Sequence, residues 1–323
     1  MYLSAQAEGS VVRVGKSNPM SIHRYILHNG RIREAAEAGL FPGQLGLLAG
    51  WGVFTTLRVV DGTLFAWERH WARLSRDAQL LNVEMPRDPV QIERDLLGLV
   101  ERNEAPNCTM RLVIVRNGGG FWEGPASGRA SDTIALTAAS KKWGDSVRLA
   151  IEPHARFAAS HFTRAKVLSW AHNLRLAERA QEQGFDEVIL LNEHGRVAEC
   201  TSANVFAVFR QEVSTPPLSE GCLPGITREV LLEEMRVPRV RFIERELTVE
   251  ELYQADEVFI TSTTRGLLPV KEIAGRALTG PLTGHGDVCE PLRRAFHSYV
   301  ISDAAARRKS ATENTTENTT VSA

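Results

Sequence analysis

GWGVFTTLRVVDGTLFAWERHWARL, Gly50 to Leu74, is the stretch whose reading decides the fold. VFTTLRVV (Val53 to Val60) is rich in β-branched residues, Asp61-Gly62 is a two-residue turn, and TLFAW (Thr63 to Trp67) resumes the strand pattern. Together they predict a β-hairpin. In ERHWARLSRDAQLL (Glu68 to Leu81) the period lengthens: Trp71, Leu74, Ala78 and Leu81 share one helical face, and Pro86 closes the segment. Strand parity sorts the hairpin side chains, with Phe54, Thr56 and Arg58 on one face and Thr55, Leu57 and Val59 on the other. The first set is the expected wall of a binding site.

Working outward, a second helix is expected from Pro89 to Arg102. A buried strand MRLVIVR (Met110 to Arg116) runs into Asn117-Gly118-Gly119-Gly120, and a further strand spans Thr133 to Ala139. KKWGD (Lys141 to Asp145) reads as an interdomain connection. Beyond it lie the strand VRLAIEP, a helix from Lys166 to Gln183 stopped by Gly184, and the strands EVILLN and RVAE turning at Glu193-His194-Gly195. NVFAVF, a helix after Gly225, and EVFITS leading into LLPVKEI follow. Helices and strands alternate irregularly, which favours a mixed α+β architecture over a doubly wound sheet. The division expected is a flexible extension over 1–24, a small α/β domain over 25–143, a larger domain over 144–300 and a disordered tail over 301–323. The tail carries TENTTENTT, too polar to order itself, and its Asn314 and Asn318 sequons read as part of a solubilising segment.

With 38 basic and 39 acidic residues, the chain has no overall field to gather nucleic acid or an anionic membrane, so a small-molecule partner is favoured. No apolar run approaches the roughly 20 residues that span a bilayer. Cys108, Cys200, Cys222 and Cys289 show no CxxC spacing and no secretory leader precedes them, so a cytoplasmic location is expected. The histidines form no HxH or HExxH pattern, which argues against metal catalysis; His154, His161 and His172 read as packing or surface residues.

Lys166 stands after a loop between Ala165 and Val167-Leu168, an apolar setting that lowers an amine pKa and suits a Schiff-base lysine. Glu199, among small and apolar residues in VAECTSANVF (Val197 to Phe206), suits a carboxylate that keeps a pyridine nitrogen protonated. A phosphate wants backbone N–H groups at a helix start, with Arg and hydroxyl donors. LPGITREVLLEEM (Leu223 to Met235) offers Ile226 and Thr227 at such a start, FITSTTRGLLPV (Phe259 to Val270) offers Ser262 and Thr263, and Arg73 offers a guanidinium.

The order of these blocks resembles the class IV pyridoxal-phosphate-dependent aminotransferases, which include branched-chain and D-amino-acid aminotransferases and aminodeoxychorismate lyase. The resemblance runs from about Tyr25 to Tyr299. It rests on His70-Arg73-Leu74, Lys166, Glu199 with Ser202, Asn204 and Phe206, Gly225-Ile226-Thr227-Arg228, and Thr261 to Thr264 before Pro269-Val270. It implies the two-domain fold type IV, with a small N-terminal α/β sandwich and a larger barrel-like α/β domain, as a homodimer with the cofactor between the domains. It further implies that Lys166 holds pyridoxal 5'-phosphate and shuttles protons, that Glu199 partners the ring nitrogen, and that Arg73, Ile226, Thr227 and Thr263 hold the phosphate.

Branched-chain enzymes look like FEGIR where this chain has FTTLR, with Thr55 for the acid and Thr56 for the glycine, which narrows an aliphatic pocket. They also carry a tyrosine five residues after the lysine, where this chain has Ala171. The FTT run followed by Arg58 resembles aminodeoxychorismate lyase, which releases pyruvate and 4-aminobenzoate, and this is the first expectation. Transamination of a D- or branched-chain amino acid is the alternative, and a degenerate cofactor-binding protein is the minor one. Phe54, Thr56, Arg58 and Arg116 are expected to meet substrate. Arg111 and Arg116 face opposite ways on an uninterrupted strand, and Arg116 is preferred because it borders the glycine-rich loop.

Overall fold

The computed structural model describes residues 21–39, 43–119, 128–278 and 288–320. Of the expected extension over 1–24, residues 1–20 lie outside the described residues, and the first strand already begins at Ile22. Part of the glycine-rich run after Asn117 also lies outside them.

Among the described residues the first sheet has six strands: β1 (Ile22–His28), β2 (Arg31–Glu34), β3 (Gly52–Val60), β4 (Thr63–Leu64), β5 (Cys108–Arg116) and β6 (Ser131–Ala139). Their order is β2-β1-β6-β5-β3-β4, every pair antiparallel. α1 (Leu45–Ala49), α2 (Trp67–Leu80) and α3 (Pro89–Arg102) accompany it. The hairpin forms as expected, since Asp61 (φ 47°) and Gly62 (φ 78°) both take the left-handed conformation that a tight two-residue turn needs. Its second strand is shorter than predicted: Ala66 turns out at φ 53°, so the helix starts at Trp67. α3 matches its predicted span, with Pro89 in the first turn and Asp88 accepting from the N–H groups of Val90 (2.9 Å) and Gln91 (3.1 Å).

Leu57, Met110, Leu112 and Ile114 bury one face of this sheet against Leu74 and Ala78 of α2 and Ile92, Leu96 and Leu99 of α3. Each of the larger of these side chains contributes about 1.5–3 kcal/mol. That packing commits one face of β3 and β5 to the core and leaves the other, with Phe54, Thr56 and Arg111, to line a cavity.

The connection over 140–146 leads into β7 (Val147–Arg156), α4 (Ala171–Glu182), β8 (Glu187–Asn192), β9 (Val197–Cys200), β10 (Asn204–Phe209) and β11 (Glu212–Thr215). α5 (Ile226–Glu233), β12 (Arg241–Glu244), α6 (Val249–Gln254), β13 (Glu257–Ser262), β14 (Gly266–Ile273), β15 (Arg276–Ala277) and α7 (Cys289–Thr320) follow. The second sheet runs β12-β11-β10-β13-β14-β7-β8-β9, with β15 beside β14. The pairs β11–β12, β14–β7 and β7–β8 are parallel and the rest antiparallel, so the architecture is mixed α+β as expected. Val60, Phe65 and Ala66 from the hairpin share a core with Ile226 and Val230 of α5 and Leu292 and Phe296 of α7, so the hairpin tip is anchored in the second half.

Two expectations are corrected. The helix predicted from Lys166 opens only at Ala171, because the segment before it is held extended along β3. Val167 bridges Val53, the Phe54 N–H donates to Lys166 O (3.0 Å), and the Leu168 N–H donates to Gly52 O (2.9 Å). Gly52 permits this approach, since a Cβ there would lie 2.5 Å from Ile114 O and 2.6 Å from the Leu168 side chain.

The tail predicted to be disordered from residue 301 is helical through Thr320. Leu292, Phe296, Val300 and Ala304 continue one buried stripe at helical spacing, and Arg307 pairs with Asp303 (2.9 Å) and with Glu68 of α2. Among the described residues no helix is long and apolar enough to cross a membrane.

Candidate active site

A cavity of ≈ 570 Å³ opens between the free face of the first sheet and the β9–β10, β13–β14 and α5 ends of the second. Phe54, Thr56, Arg73, Lys166, Glu199, Ile226, Thr227 and Thr263 all line it, although they span more than two hundred positions of sequence. Folding therefore gathers eight of the ten expected site residues.

Lys166 lies on the cavity wall, its Nζ 4.6 Å from the centre of the Phe54 ring and 5.5 Å from that of Trp170. Its backbone is fixed on both sides: β3 takes its carbonyl, and its N–H donates to Asp77 Oδ2 (3.0 Å). Desolvation is the largest influence on its amine and the Arg73 charge the next; against the pull of Glu199, they push its pKa down to about 7. The neutral nucleophilic form thus predominates above about pH 7. Uptake of an aldehyde by the unloaded chain should quicken as pH rises and level off above that value. Stopped-flow absorbance would measure it, and a rate still climbing tenfold per unit near pH 9 would contradict a depressed pKa.

Glu199 is the penultimate residue of β9 and is buried. Its Oε1 pairs with Arg156 Nη2 at 2.8 Å and its Oε2 accepts from the Leu223 N–H at 3.1 Å. Burial raises its pKa, while Arg156 and the Leu223 N–H oppose that rise. Asn204 braces the same turn, donating to Leu223 O (2.9 Å), and Gly225 gives it room, since a Cβ there would fall 2.1 Å from Asn204 Oδ1.

The start of α5 and Arg73 face each other across the cavity's third side. Arg73 is buried and donates to Pro224 O (3.2 Å) and to Thr55 Oγ1 (3.0 Å). Its Nε has no hydrogen-bond partner, and among the described residues no carboxylate forms an ion pair with it. Burial pulls its pKa down to about 10, leaving it a cation at neutral pH. Thr261 Oγ1, also on the wall, is buried and unpartnered. A buried guanidinium without an ion pair, an orphaned hydroxyl and a helix start fit a phosphate, while Glu199 and Lys166 fit a ring nitrogen and an aldehyde. The residues present therefore suit pyridoxal 5'-phosphate.

Four expectations about the walls change. Arg116 is not at the cavity: it stacks on Trp51 (4.2 Å) and donates to Gly118 O and Asn82 O. Arg111, paired with Thr56 in the sheet, lines the cavity and lies over the Phe54 ring (4.6 Å). The signal was in the strand, since Met110, Leu112 and Ile114 claim the core face and so send Arg111, not Arg116, the other way. Arg58 shares the Phe54 face as expected, but its Nη2 reaches Thr264 O (3.4 Å) and it does not line the cavity. Thr55 points at His70 and Arg73, so only Thr56 of the threonine pair narrows the pocket.

Other residues of the site carry little signal in the sequence. Trp170, one position before Ala171, supplies an aromatic wall, meeting Phe54 edge-on with ring centres 5.9 Å apart. Arg156 carried no local signal. Asp77 follows His70 and Arg73 by seven and four positions, a spacing that places all three on one helix face. The loop bearing Thr263 is braced by Trp143, which donates to Thr264 O (3.1 Å), and by Arg265, held by Glu187 (3.0 Å) and Ser202 (2.9 Å). His154, His161 and His172 are exposed.

The family model described as amino-transferase class IV matches residues 52–273. The D-alanine aminotransferase of Bacillus licheniformis is 28% identical over 302 residues, covering 87% of this chain and 98% of its own. The branched-chain-amino-acid aminotransferase of Pseudomonas aeruginosa is 27% identical, covering 80% and 86% respectively. Among solved structures, the branched-chain aminotransferase of Thermoproteus uzoniensis with norvaline superimposes with a TM-score of 0.78 at 26% identity, covering 87% of this chain and 96% of that one.

Proposed function

The chain belongs to the class IV aminotransferases, enzymes that work with pyridoxal 5'-phosphate, and from that premise we propose that it moves an amino group between a carboxylate-bearing amino acid and a 2-oxo acid. The observation that carries this reading is the Lys166 amine, with its pKa pushed down to about 7, on the wall of a cavity shared with Glu199 and Arg73. When bound, the cofactor supplies an electron sink for the pair left by a bond breaking at the substrate α-carbon.

Lys166 holds the cofactor between turnovers and, once freed, takes and returns the α-proton through Nζ. Glu199, kept close by Arg156, retains a proton at the ring nitrogen. Arg73, the N–H groups of Ile226 and Thr227, and the hydroxyl of Thr263 bind the phosphate. Phe54 and Trp170 exclude water from the lysine, and Thr56 limits the width of the substrate.

Arg111 supports the carboxylate part of the reading. Among the described residues no acid pairs with it, and burial lowers its pKa, so a substrate carboxylate would relieve a partly desolvated cation. Arg111→Gln should raise KM for the donor about tenfold to a hundredfold with a smaller change in kcat. Arg116→Gln should leave both within about twofold. Steady-state kinetics with the reverse pattern would return Arg116 to the site.

A second reading, lyase action on aminodeoxychorismate, is favoured by Thr56 on the wall and by the FTT run it belongs to. One pair of incubations separates the two. Amino transfer needs an added 2-oxo acid, whereas pyruvate released from aminodeoxychorismate without any acceptor identifies the lyase. The reading includes a homodimer, and light scattering that gives the mass of a single chain would remove that part.

A further inference from the structure

We propose that Thr55 is a positioning residue that aims Arg73 at the cofactor's phosphate through a one-way hydrogen-bond chain ending on His70. This rests on the reading of Arg73 as the phosphate residue.

Thr55 and His70 are both fully buried, and the Thr55 hydroxyl lies between the two other members of the chain: Arg73 Nη2 at 3.0 Å and His70 Nδ1 at 2.7 Å. A guanidinium can only donate, so Thr55 Oγ1 accepts from Arg73. The hydroxyl has one proton of its own, and the remaining partner is His70 Nδ1. The arrangement that gives the hydroxyl proton an acceptor leaves Nδ1 bare and puts the ring proton on Nε2, which is buried without a hydrogen-bond partner. A charged imidazolium would present Nδ1–H to the same oxygen, facing it with two donors and leaving its own proton without an acceptor.

The environment agrees with that direction. Burial, with Arg73 and Lys166 nearby, holds His70 well below its usual pKa, so the ring stays neutral. Arg73 Nη1 is fixed separately on Pro224 O, the carbonyl just before the Gly225 cap of α5. Two of its three nitrogens are thus anchored, one on β3 and one on the turn that begins the phosphate-facing helix.

The chemistry of the anchor matters as much as its position. The branched-chain signature FEGIR has an acid where this chain has Thr55. A carboxylate at 3 Å would hold the guanidinium but also cancel its charge. The hydroxyl fixes the same donor without adding a further negative charge beside it, so more of the positive charge is left to meet a dianionic phosphate.

The test compares pyridoxal 5'-phosphate with pyridoxal, which lacks the phosphate, on the full chain stripped of cofactor. Both ligands present the same aldehyde to Lys166, so the ratio of their dissociation constants isolates the phosphate contribution. Thr55→Val should lower the preference for the phosphorylated ligand by on the order of tenfold or more while leaving pyridoxal binding in place. Thr55→Ser should restore it. Should the valine variant not fold, Thr55→Ala carries the same comparison. A preference retained without the hydroxyl, or an equal loss for both ligands, overturns the inference. Arg73→Gln separates the layers: if it too keeps the preference, the phosphate reading itself fails. If Arg73→Gln loses it while Thr55→Val does not, the role given to Thr55 alone is wrong.

Discussion

Exchanging Lys166 for alanine is expected to lower turnover by a factor on the order of 10⁴ while leaving much of the cofactor affinity intact. No other lysine lies among the described residues lining the cavity, so nothing nearby can replace its amine. The phosphate contacts proposed for Arg73 and the start of α5 lie on elements the substitution does not touch. The variant should therefore bind pyridoxal 5'-phosphate without covalent attachment, lose the yellow colour of the attached form, and recover a small part of its activity with added primary amines. In the unaltered protein, borohydride should fix the cofactor to the peptide containing Lys166. A label on another lysine, or turnover within about tenfold of the parent, would remove Lys166 from the centre of the reaction.

The second large effect is expected at Glu199. Glu199→Gln keeps the shape and the capacity to accept from the Leu223 N–H, but removes the charge. Turnover should fall by about 10²- to 10³-fold, because a neutral partner no longer keeps the ring nitrogen protonated. Two further signs identify the charge as the cause. Glu199 pulls the Lys166 pKa upward, so its neutralisation should move the titration of that amine to a pH still lower than about 7. The change also leaves the half-buried Arg156 beside a neutral side chain, at a cost of about 1–3 kcal/mol in unfolding free energy. Pairing it with Arg156→Gln should return part of that stability and none of the turnover. A double variant that regains activity would mean that the pair serves packing and not chemistry.

Much of the site was legible in the chain order of its motifs. Lys166, Glu199, Ile226-Thr227 and Thr263 were readable because each belongs to a short block whose residue types suit one chemical task, and all of them line the cavity. The hairpin and α3 were readable because alternation, turn residues and capping residues act over a few positions. The misread elements share one cause, a partner distant in sequence. The Lys166 segment looked helical on its own composition but is drawn out by β3, more than a hundred residues earlier. The tail looked too polar to order, yet it continues α7, whose first turns hold an apolar stripe against the hairpin, and its Arg307 pairs with Glu68. The choice of Arg116 over Arg111 gave weight to a neighbouring loop where the buried face of the strand should have decided.

By itself, the sequence determined the kinds of chemistry available: an amine in an apolar setting, a carboxylate for a ring nitrogen, and donors for a phosphate. It also determined the local elements that carry them, because strand and helix periods and turn preferences are properties of neighbouring residues. Which arginine lines the cavity, which threonine faces it and which contacts Arg73, and what keeps Glu199 company were decided only when two sheets closed on one cavity. Side-chain direction, desolvation and the pairing of charges depend on what the fold brings within a few ångströms, and that is set by contacts between segments far apart along the chain.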